Sequence, residues 1–288
     1  MNVHQLELFY HVVVNQSVSR AAKALGREQP TLSRQINELE AGLRVELFHR
    51  RPFQLTEKGA LLFKGIEPFF RELPRLEQQV MGGDLIRIGA PALALAEHLP
   101  AVEKLARRQF PHLRAVLREA NQPQLLEWME RGEIDLAVTL IPAKLPQKIF
   151  SKGLIELPMV LLAPGSGRAP TAEQLWSKAG LRGDLICLTA DEMLCEQFQA
   201  GLRRLGIEWQ PTIEVGSLDL VQRYTLEGYG FGLTVRLPGM RLPKTLRIIE
   251  LPGFPALPFG LLWRDNEDKL VRVFRELIEQ RAVAKGKV

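Results

Sequence analysis

The sequence predicts an α/β protein in three parts: an all-α N-terminal segment, one connecting helix, and a larger half in which strands and helices alternate. Three observations carry that expectation. Short apolar stripes at helical spacing flank a tight glycine turn near the start, a heptad-spaced apolar seam follows, and from Leu85 β-rich runs alternate with helical ones. A chain of 288 residues, 46% hydrophobic and 25% charged, has ordinary globular composition and room for more than one core. No apolar run approaches the roughly 18 residues of a membrane span, and the first five residues lack the basic-then-apolar build of an export signal. The expectation is a soluble, cytosolic protein with no membrane partner. Two cysteines make neither a disulfide framework nor a zinc cluster, so no metal and no other cofactor is expected. The net charge of +5 permits a polyanionic partner. It does not locate one, because the first 80 residues carry 11 basic against 9 acidic side chains.

Leu6, Phe9, Tyr10 and Val13 recur as one face of a first helix. Ser17 caps a second, whose stripe is Val18, Ala21, Ala22 and Leu25 and which Gly26 ends. After Arg27 and Glu28, Pro30 opens a third helix with Leu32, Ile36 and Leu39 as core contacts. Two short helices across a glycine turn make a helix-turn-helix, and the small pair Ala21-Ala22 suits their close crossing. The third helix leaves Gln29, Pro30, Thr31, Ser33, Arg34 and Asn37 outward, a hydrogen-bonding face whose only charge is one arginine. Gln, Arg and Asn can contact base edges in the major groove, and hydroxyls can reach phosphates; the same face also reads as plain solvated surface. Leu47-Phe48, the basic cluster His49-Arg50-Arg51, Pro52 and Phe53-Gln54-Leu55-Thr56 read as a two-stranded wing with arginines near its tip, suited to phosphates or a narrow minor groove.

These segments, with Gly59 after Leu55-Thr56, resemble in order and spacing the N-terminal winged helix-turn-helix of LysR-type transcriptional regulators. The resemblance covers about sixty residues through several linked motifs, among them Ser17-Val18-Ser19-Arg20-Ala21-Ala22 and Gln29-Pro30-Thr31-Leu32-Ser33-Arg34. It implies DNA contacts from Gln29, Pro30, Thr31, Ser33 and Arg34 and from one wing arginine. The wing is compact, so the minor-groove role stays divided between Arg50 and Arg51.

After Thr56, Leu62, Ile66, Phe69, Leu73, Leu76 and Val80 are spaced 4, 3, 4, 3, 4, a short heptad seam suited to a partner helix or to the helix's own domain. The resemblance implies dimerisation here, which would hold two recognition helices at a fixed separation. Pro68 and Pro74 lie within the seam, and interior prolines predict a bend or break. Gly82-Gly83 reads as a hinge.

In the larger half, strands are expected at 85–89, 113–119, 135–139 and 157–163, with helices at 95–109 and 124–131. A second set has strands at 185–189, 212–215, 231–235, 246–251 and 259–263, helices at 171–178, 191–205 and 217–227, and a last helix at 267–281. The expected organisation is 1–58 DNA-binding, 59–83 linker helix and hinge, and 84–288 effector-binding. Within the last, lobe I spans about 84–160 plus 265–288 and lobe II about 161–264. Asp135-Leu136-Ala137-Val138 and Gly228-Tyr229-Gly230-Phe231-Gly232-Leu233 resemble the corresponding LysR-type segments. That implies a bilobed domain of periplasmic-binding-protein type with an inducer between the lobes.

Ligands in open α/β sheets sit beyond the carboxyl ends of the strands. This nominates Ala90, Pro91, Ala92, Leu93, Asn121, Gln122, Thr139, Leu140, Thr189, Asp191 and Ser217, each also readable as a satisfied cap or turn residue. The first loop, Ala90-Pro91-Ala92-Leu93, lacks the Ser or Thr with which many relatives bind an effector carboxylate, so a more apolar effector, or none, stays open. Cys195, early in a helix, offers an alternative: a thiol-based redox sensor of the same fold, with no second cysteine following it to resolve an oxidised form. Cys187 reads as a buried small hydrophobe. An enzyme is not expected and no catalytic residue is nominated, since nucleophile-elbow, zinc-protease, P-loop and dinucleotide motifs are missing. A stand-alone solute-binding protein would share the bilobed half but not need Gln29 to Arg34. Expected partners are double-stranded promoter DNA, a second copy of the chain in a homodimer assembled into a tetramer, a small-molecule effector, and RNA polymerase.

Overall fold

The computed structural model describes residues 1–50, 53–81, 83–165, 170–177, 183–240, 242–264 and 268–285; the side chains at 50, 74, 75, 78, 79, 284 and 285 are outside that description. The chain forms two compact units, Met1–Gly82 and Gly83–Val288.

The first unit opens with α1 (Val3–Val14), α2 (Val18–Ala24) and α3 (Gln29–Leu43). Leu8, Phe9, Val12, Ala21, Ala22, Leu32, Ile36 and Leu39 form one buried cluster; α2 and α3 bury the predicted stripes, whereas α1 turns Leu8, Phe9 and Val12 inward and leaves the predicted Leu6, Tyr10 and Val13 only partly buried. Each boundary has a local cause. Asn2 and Gln5 make a reciprocal capping box on α1, and the Ser17 hydroxyl accepts from the Arg20 amide at 3.3 Å. At the turn, Gly26 has φ +62°, its amide donates to Lys23 and the Arg27 amide to Ala22, closing a Schellman motif that needs a left-handed residue. The wing follows as β1 (Phe48–Arg50) and β2 (Phe53–Leu55), antiparallel with Phe48 opposite Leu55.

Helix α4 (Glu57–Val80) is continuous through Pro68 and Pro74, where the sequence predicted a bend or break. At Pro68 the reason is solvent. Lys64, whose carbonyl loses its donor, and Pro68 itself are both exposed, so the missing hydrogen bond falls where water can replace it. The heptad seam divides along this helix. Leu62 and Ile66 pack with the domain core, whereas Phe69 (52%), Leu76 (48%) and Val80 (88%) are solvent-exposed.

The second unit contains two five-stranded sheets. Its elements are β3 (Asp84–Ala90), α5 (Ala92–Glu97), α6 (Leu99–Ala106), β4 (Leu113–Glu119), α7 (Gln122–Arg131), β5 (Leu136–Leu140), β6 (Ile149–Leu157), β7 (Met159–Pro164), α8 (Ala172–Trp176), β8 (Leu185–Leu188), α9 (Met193–Arg204), β9 (Ile213–Val215), α10 (Leu218–Leu226), β10 (Phe231–Val235), β11 (Leu246–Glu250), β12 (Leu257–Arg264) and α11 (Lys269–Lys285). Lobe I has strand order β4-β3-β5-β12-β6 and lobe II β11-β7-β10-β8-β9. Alternation along β5 shows why lobe I is a three-layer structure. Leu136 and Val138 face α6 and α11, while Ala137 faces Leu125 and Met129 of α7. In lobe II, Cys187, Leu233 and Ile249 pack against α9, and Val221 and Thr225 of α10 cover the other side, where Gly232 permits the approach: a Cβ there would lie 2.2 Å from the Thr225 hydroxyl.

Three expectations are corrected. The predicted helix 95–109 is two helices, because Pro100, lacking an amide, sits in the first turn of α6. Strand β6 was missed, since Ser151-Lys152-Gly153 gives this edge strand a mostly exposed, weakly apolar pattern. Strand 259–263, assigned to the second set, belongs to the first sheet: β12 lies between β5 and β6, with Gly260 opposite Thr139 and Gly153. The lobes are therefore joined at Pro158, between β6 and β7, and at 251–256, between β11 and β12. Among the described residues no helix is long and apolar enough to cross a membrane, and no cluster of three or more His, Cys, Asp or Glu could hold a metal.

Candidate functional site

Helix α3 presents the expected face. Gln29, Pro30, Thr31, Arg34 and Asn37 are exposed and Ser33 is half-buried. The Gln29 carbonyl oxygen accepts from the Ser19 hydroxyl at 2.8 Å, which ties the start of α3 to the start of α2 and fixes which way the Gln29 amide group points. Arg34, 72% exposed, stands 3.6 Å from Glu38 on the next turn. The face therefore carries a carboxylate that the sequence reading passed over. So exposed a pair costs little to exchange for a phosphate or a base edge. In the wing, the Arg50 side chain and the whole of Arg51 lie outside the described residues.

The wing is anchored by a dense set of polar contacts. The Leu47 amide donates to Glu40 at 2.8 Å, the Thr56 amide donates to the Leu47 carbonyl at 3.0 Å, and the Thr56 hydroxyl donates to Glu46 at 2.7 Å while accepting from Gly59 at 3.0 Å. This explains the run Leu55-Thr56 with Gly59: the wing backbone lies directly on the first turn of α4.

In the second unit the nominated residues do follow the ends of the parallel strands. Ala90 ends β3, Pro91 precedes α5 as its N-cap, and Ala92 and Leu93 form its first turn. Leu140 ends β5, with Thr139 buried before it; Thr189 follows β8, and Asp191 is exposed beyond it. Two of the polar candidates already serve as caps. Asn121 accepts from the Gln124 amide at 3.2 Å, and Ser217 accepts from the Leu220 amide at 3.3 Å. An open groove of about 580 Å³, lined by Arg223, Tyr224, Glu227, Gly228 and Tyr229 on lobe II, includes none of the nominated residues.

The structure adds a residue that sequence reasoning missed. Glu192, the N-cap of α9, is 5% exposed and makes no side-chain bond to its own helix. Near its carboxyl group is Gln122, the buried first residue of α7 in the other lobe. Burial, with the neighbouring Asp191 charge, raises the Glu192 carboxyl to about 7, while the Gln122 amide pulls it down. The available signal was an acidic pair directly after a strand end.

Asp135, in contrast, is explained as structure. Its carboxylate takes a bidentate bond from Arg87 (2.6 and 3.1 Å) and another from the Arg87 amide at 2.8 Å, locking β3 to the start of β5 at the end away from the nominated loops. Of the two thiols, Cys187 is the buried small hydrophobe the sequence suggests. Cys195 is buried and donates to the Leu188 carbonyl at 3.2 Å, and the Cys187 thiol lies within hydrogen-bond reach of it. A neighbouring thiol for Cys195 therefore exists, eight residues before it rather than after, because β8 turns directly into α9. The contact with Cys195 and burial push the Cys187 thiol far up, away from the reactive thiolate.

Comparison with known proteins fits both halves. Residues 3–60 match the family model of bacterial regulatory helix-turn-helix proteins of the lysR family, and residues 82–283 match the LysR substrate binding domain. The chain is 29% identical over 284 residues to the HTH-type transcriptional regulator BsdA of Bacillus subtilis, covering 92% of this chain and 95% of that protein. To the DNA-binding transcriptional dual regulator OxyR of Escherichia coli it is 26% identical over 283 residues, 92% of this chain and 90% of the other. Among solved structures, full-length CbnR complexed with its target DNA has a TM-score of 0.64 at 18% identity, covering 98% of this chain and all of that one. Full-length BenM has a TM-score of 0.56 at 24% identity, covering 99% and 98%.

Proposed function

Because the chain belongs to the LysR family of bacterial transcriptional regulators, we propose that it is a cytoplasmic regulator that grips promoter DNA through α3 and the wing and answers to a small molecule held between the lobes of its second unit. The observation that carries this reading is the outward face of α3, set by a capped turn and a shared core. Gln29, Thr31, Ser33, Arg34 and Asn37 would meet the major groove, Pro30 would start the helix against the backbone, and Arg50 or Arg51 would reach the minor groove. In this reading residues 1–58 form the DNA-binding domain, 59–83 the linker and 84–288 the effector-binding domain.

The exposed part of the α4 seam, Phe69, Leu76 and Val80 with the half-buried Leu73, supplies a surface for a second copy; Leu62 and Ile66 would support it from the domain core. Dimers of this kind, paired into a tetramer, would place recognition helices on separated half-sites, and effector binding would shift their spacing, DNA bending or contact with RNA polymerase. The effector would lie among Ala90, Pro91, Ala92, Leu93, Asn121, Gln122, Thr139, Leu140, Thr189, Asp191 and Ser217. No catalytic residue belongs to this reading.

Footprinting the full-length protein on the DNA upstream of its own gene and of the neighbouring gene is the direct test, at a fixed salt concentration. Protection of two-fold related half-sites is the expected result, and only weak, salt-sensitive, unspecific binding would sink the reading. Within that assay, Arg34→Ala should weaken specific binding by roughly 1 to 3 kcal/mol and leave non-specific affinity nearly unchanged. An unaltered ratio of specific to non-specific affinity would remove Arg34 from the base readers.

A second reading, redox sensing, is favoured by one observation, the Cys187 and Cys195 thiols side by side. Their burial and the raised Cys187 thiol oppose it. The native protein should therefore react with a thiol reagent far more slowly than the urea-unfolded chain, which should titrate two thiols. Formation of a Cys187–Cys195 disulfide in the native protein under dilute peroxide would reverse the preference.

A further inference from the structure

Gln29, the first residue of α3, projects an amide whose two ends differ: the carbonyl oxygen only accepts hydrogen bonds and the NH2 group only donates them. On a bare helix surface such an amide turns freely and offers either end. Here it is held. The Ser19 hydroxyl donates to the Gln29 Oε1 at 2.8 Å, a normal length for such a bond, between residues ten apart in the chain. Ser19 can do this because the fold settles its position. It is the second residue of α2, whose first turn is closed by the Ser17 hydroxyl accepting from the Arg20 amide at 3.3 Å, and the buried pair Ala21-Ala22 lets α2 lie close against α3. Ser17 serves the cap, which leaves the Ser19 hydroxyl for α3. With its oxygen turned back towards α2, the exposed Gln29 side chain presents its amide nitrogen on the opposite side, and among the described residues that nitrogen makes no hydrogen bond.

We propose that Ser19 is a positioning residue for base recognition: by holding the Gln29 oxygen it makes Gln29 a donor-only reader, matched in the major groove to guanine. Guanine sets O6 and N7 side by side, and both are acceptors. Adenine, which a free Gln amide pairs with through both its ends, places a donating N6 amino group beside N7, so the held amide would bring one NH2 group against another. Cytosine presents an amino donor and is disfavoured for the same reason, while thymine offers a single acceptor with a methyl group beside it and ranks between. In the free protein water competes for so exposed a bond. Between α3 and the groove that competitor is excluded, and the bond strengthens where it selects. This inference deepens the DNA-binding reading above and rests on it.

Binding-site selection from a randomised duplex pool with the full-length chain tests it without a known operator. The parent should enrich guanine at one position of each half-site, and Gln29→Ala identifies that position as the one whose preference disappears. Ser19→Ala, which frees the amide to present both ends, should cut the guanine-to-adenine ratio there about fivefold or more, the low end of what one well-matched base contact gives, and leave other positions as they are. Ser19→Thr keeps the hydroxyl and should keep the guanine preference. An unchanged guanine-to-adenine ratio in Ser19→Ala overturns the proposal. Should that variant fold poorly, the parent's own choice still decides: guanine at the Gln29 position upholds the proposal and adenine there overturns it. If Gln29→Ala alters no position while the parent selects a defined site, Gln29 reads no base, and the proposal fails with the DNA-binding reading intact. A pool that yields no defined site for the parent defeats that reading as well.

Discussion

Gly59→Ala is expected to cost the N-terminal unit about 3 kcal/mol or more, and with it specific DNA binding. A Cβ at this position would stand 1.8 Å from the Leu47 carbonyl oxygen and 2.8 Å from its carbon. No rotamer change relieves that contact, because both atoms are backbone. The carbonyl cannot withdraw cheaply, since it accepts from the Thr56 amide and the Leu47 amide is held by Glu40. Moving the strand would also drag Phe48, which is 3% exposed and stacks 6.2 Å from Phe9 in the core. The wing and the helix core would thus be disturbed together. Gly65→Ala on the same helix is the control: nothing lies within 4 Å of its Cβ, and alanine should gain about 0.5 to 1 kcal/mol in a helix interior. Denaturant unfolding of both variants, followed by the footprint, decides the matter. Equal stability of Gly59→Ala and the parent would show that the wing does not rest on α4 as described.

The second large effect is a pH dependence carried by Glu192. Its carboxyl titrates near 7 in the folded protein against an ordinary value of 4.5, raised by burial and by Asp191. Below pH 4.5 the folded and unfolded chains both hold this proton. Between 4.5 and 7 the unfolded chain releases it while the folded chain still binds it, so this group's contribution to stability falls as pH rises, and it is fully lost above 7. The span corresponds to at most about 3 kcal/mol. Glu192→Gln cannot titrate, so its stability relative to the parent should climb from pH 4.5 to 7 and then level off, as read by urea unfolding at several pH values. Parallel profiles for the two proteins would show that Glu192 is ordinarily solvated. A carboxylate kept buried at such a cost is the sort of concession that functional sites make.

The core face of α3, the cap of α2 and the turn between them were legible because the signals are short-range. An apolar stripe, a Ser17 cap and a left-handed Gly26 are decided within one or two helical turns, and the structure forms the α3 stripe, the cap and the turn where the sequence places them. The same holds for Ser217, which caps α10, and for the strand ends that nominate the loop residues. Glu38 sits one turn beyond Arg34 on the same face, outside the run from Gln29 to Arg34 that carries most of the hydrogen-bonding side chains.

What the sequence by itself determined, then, is the family, the three-part order, and the identity and local setting of the outward side chains of α3. Tertiary structure alone decided that β12 joins lobe I, that Cys187 lies against Cys195, that Gly59 must be small, and that Glu192 is buried. Each of these depends on groups that are distant in sequence or carried by different elements, and their meeting follows from which surfaces pack. Periodicity records which side of an element is apolar. It carries no record of which other element that side will meet.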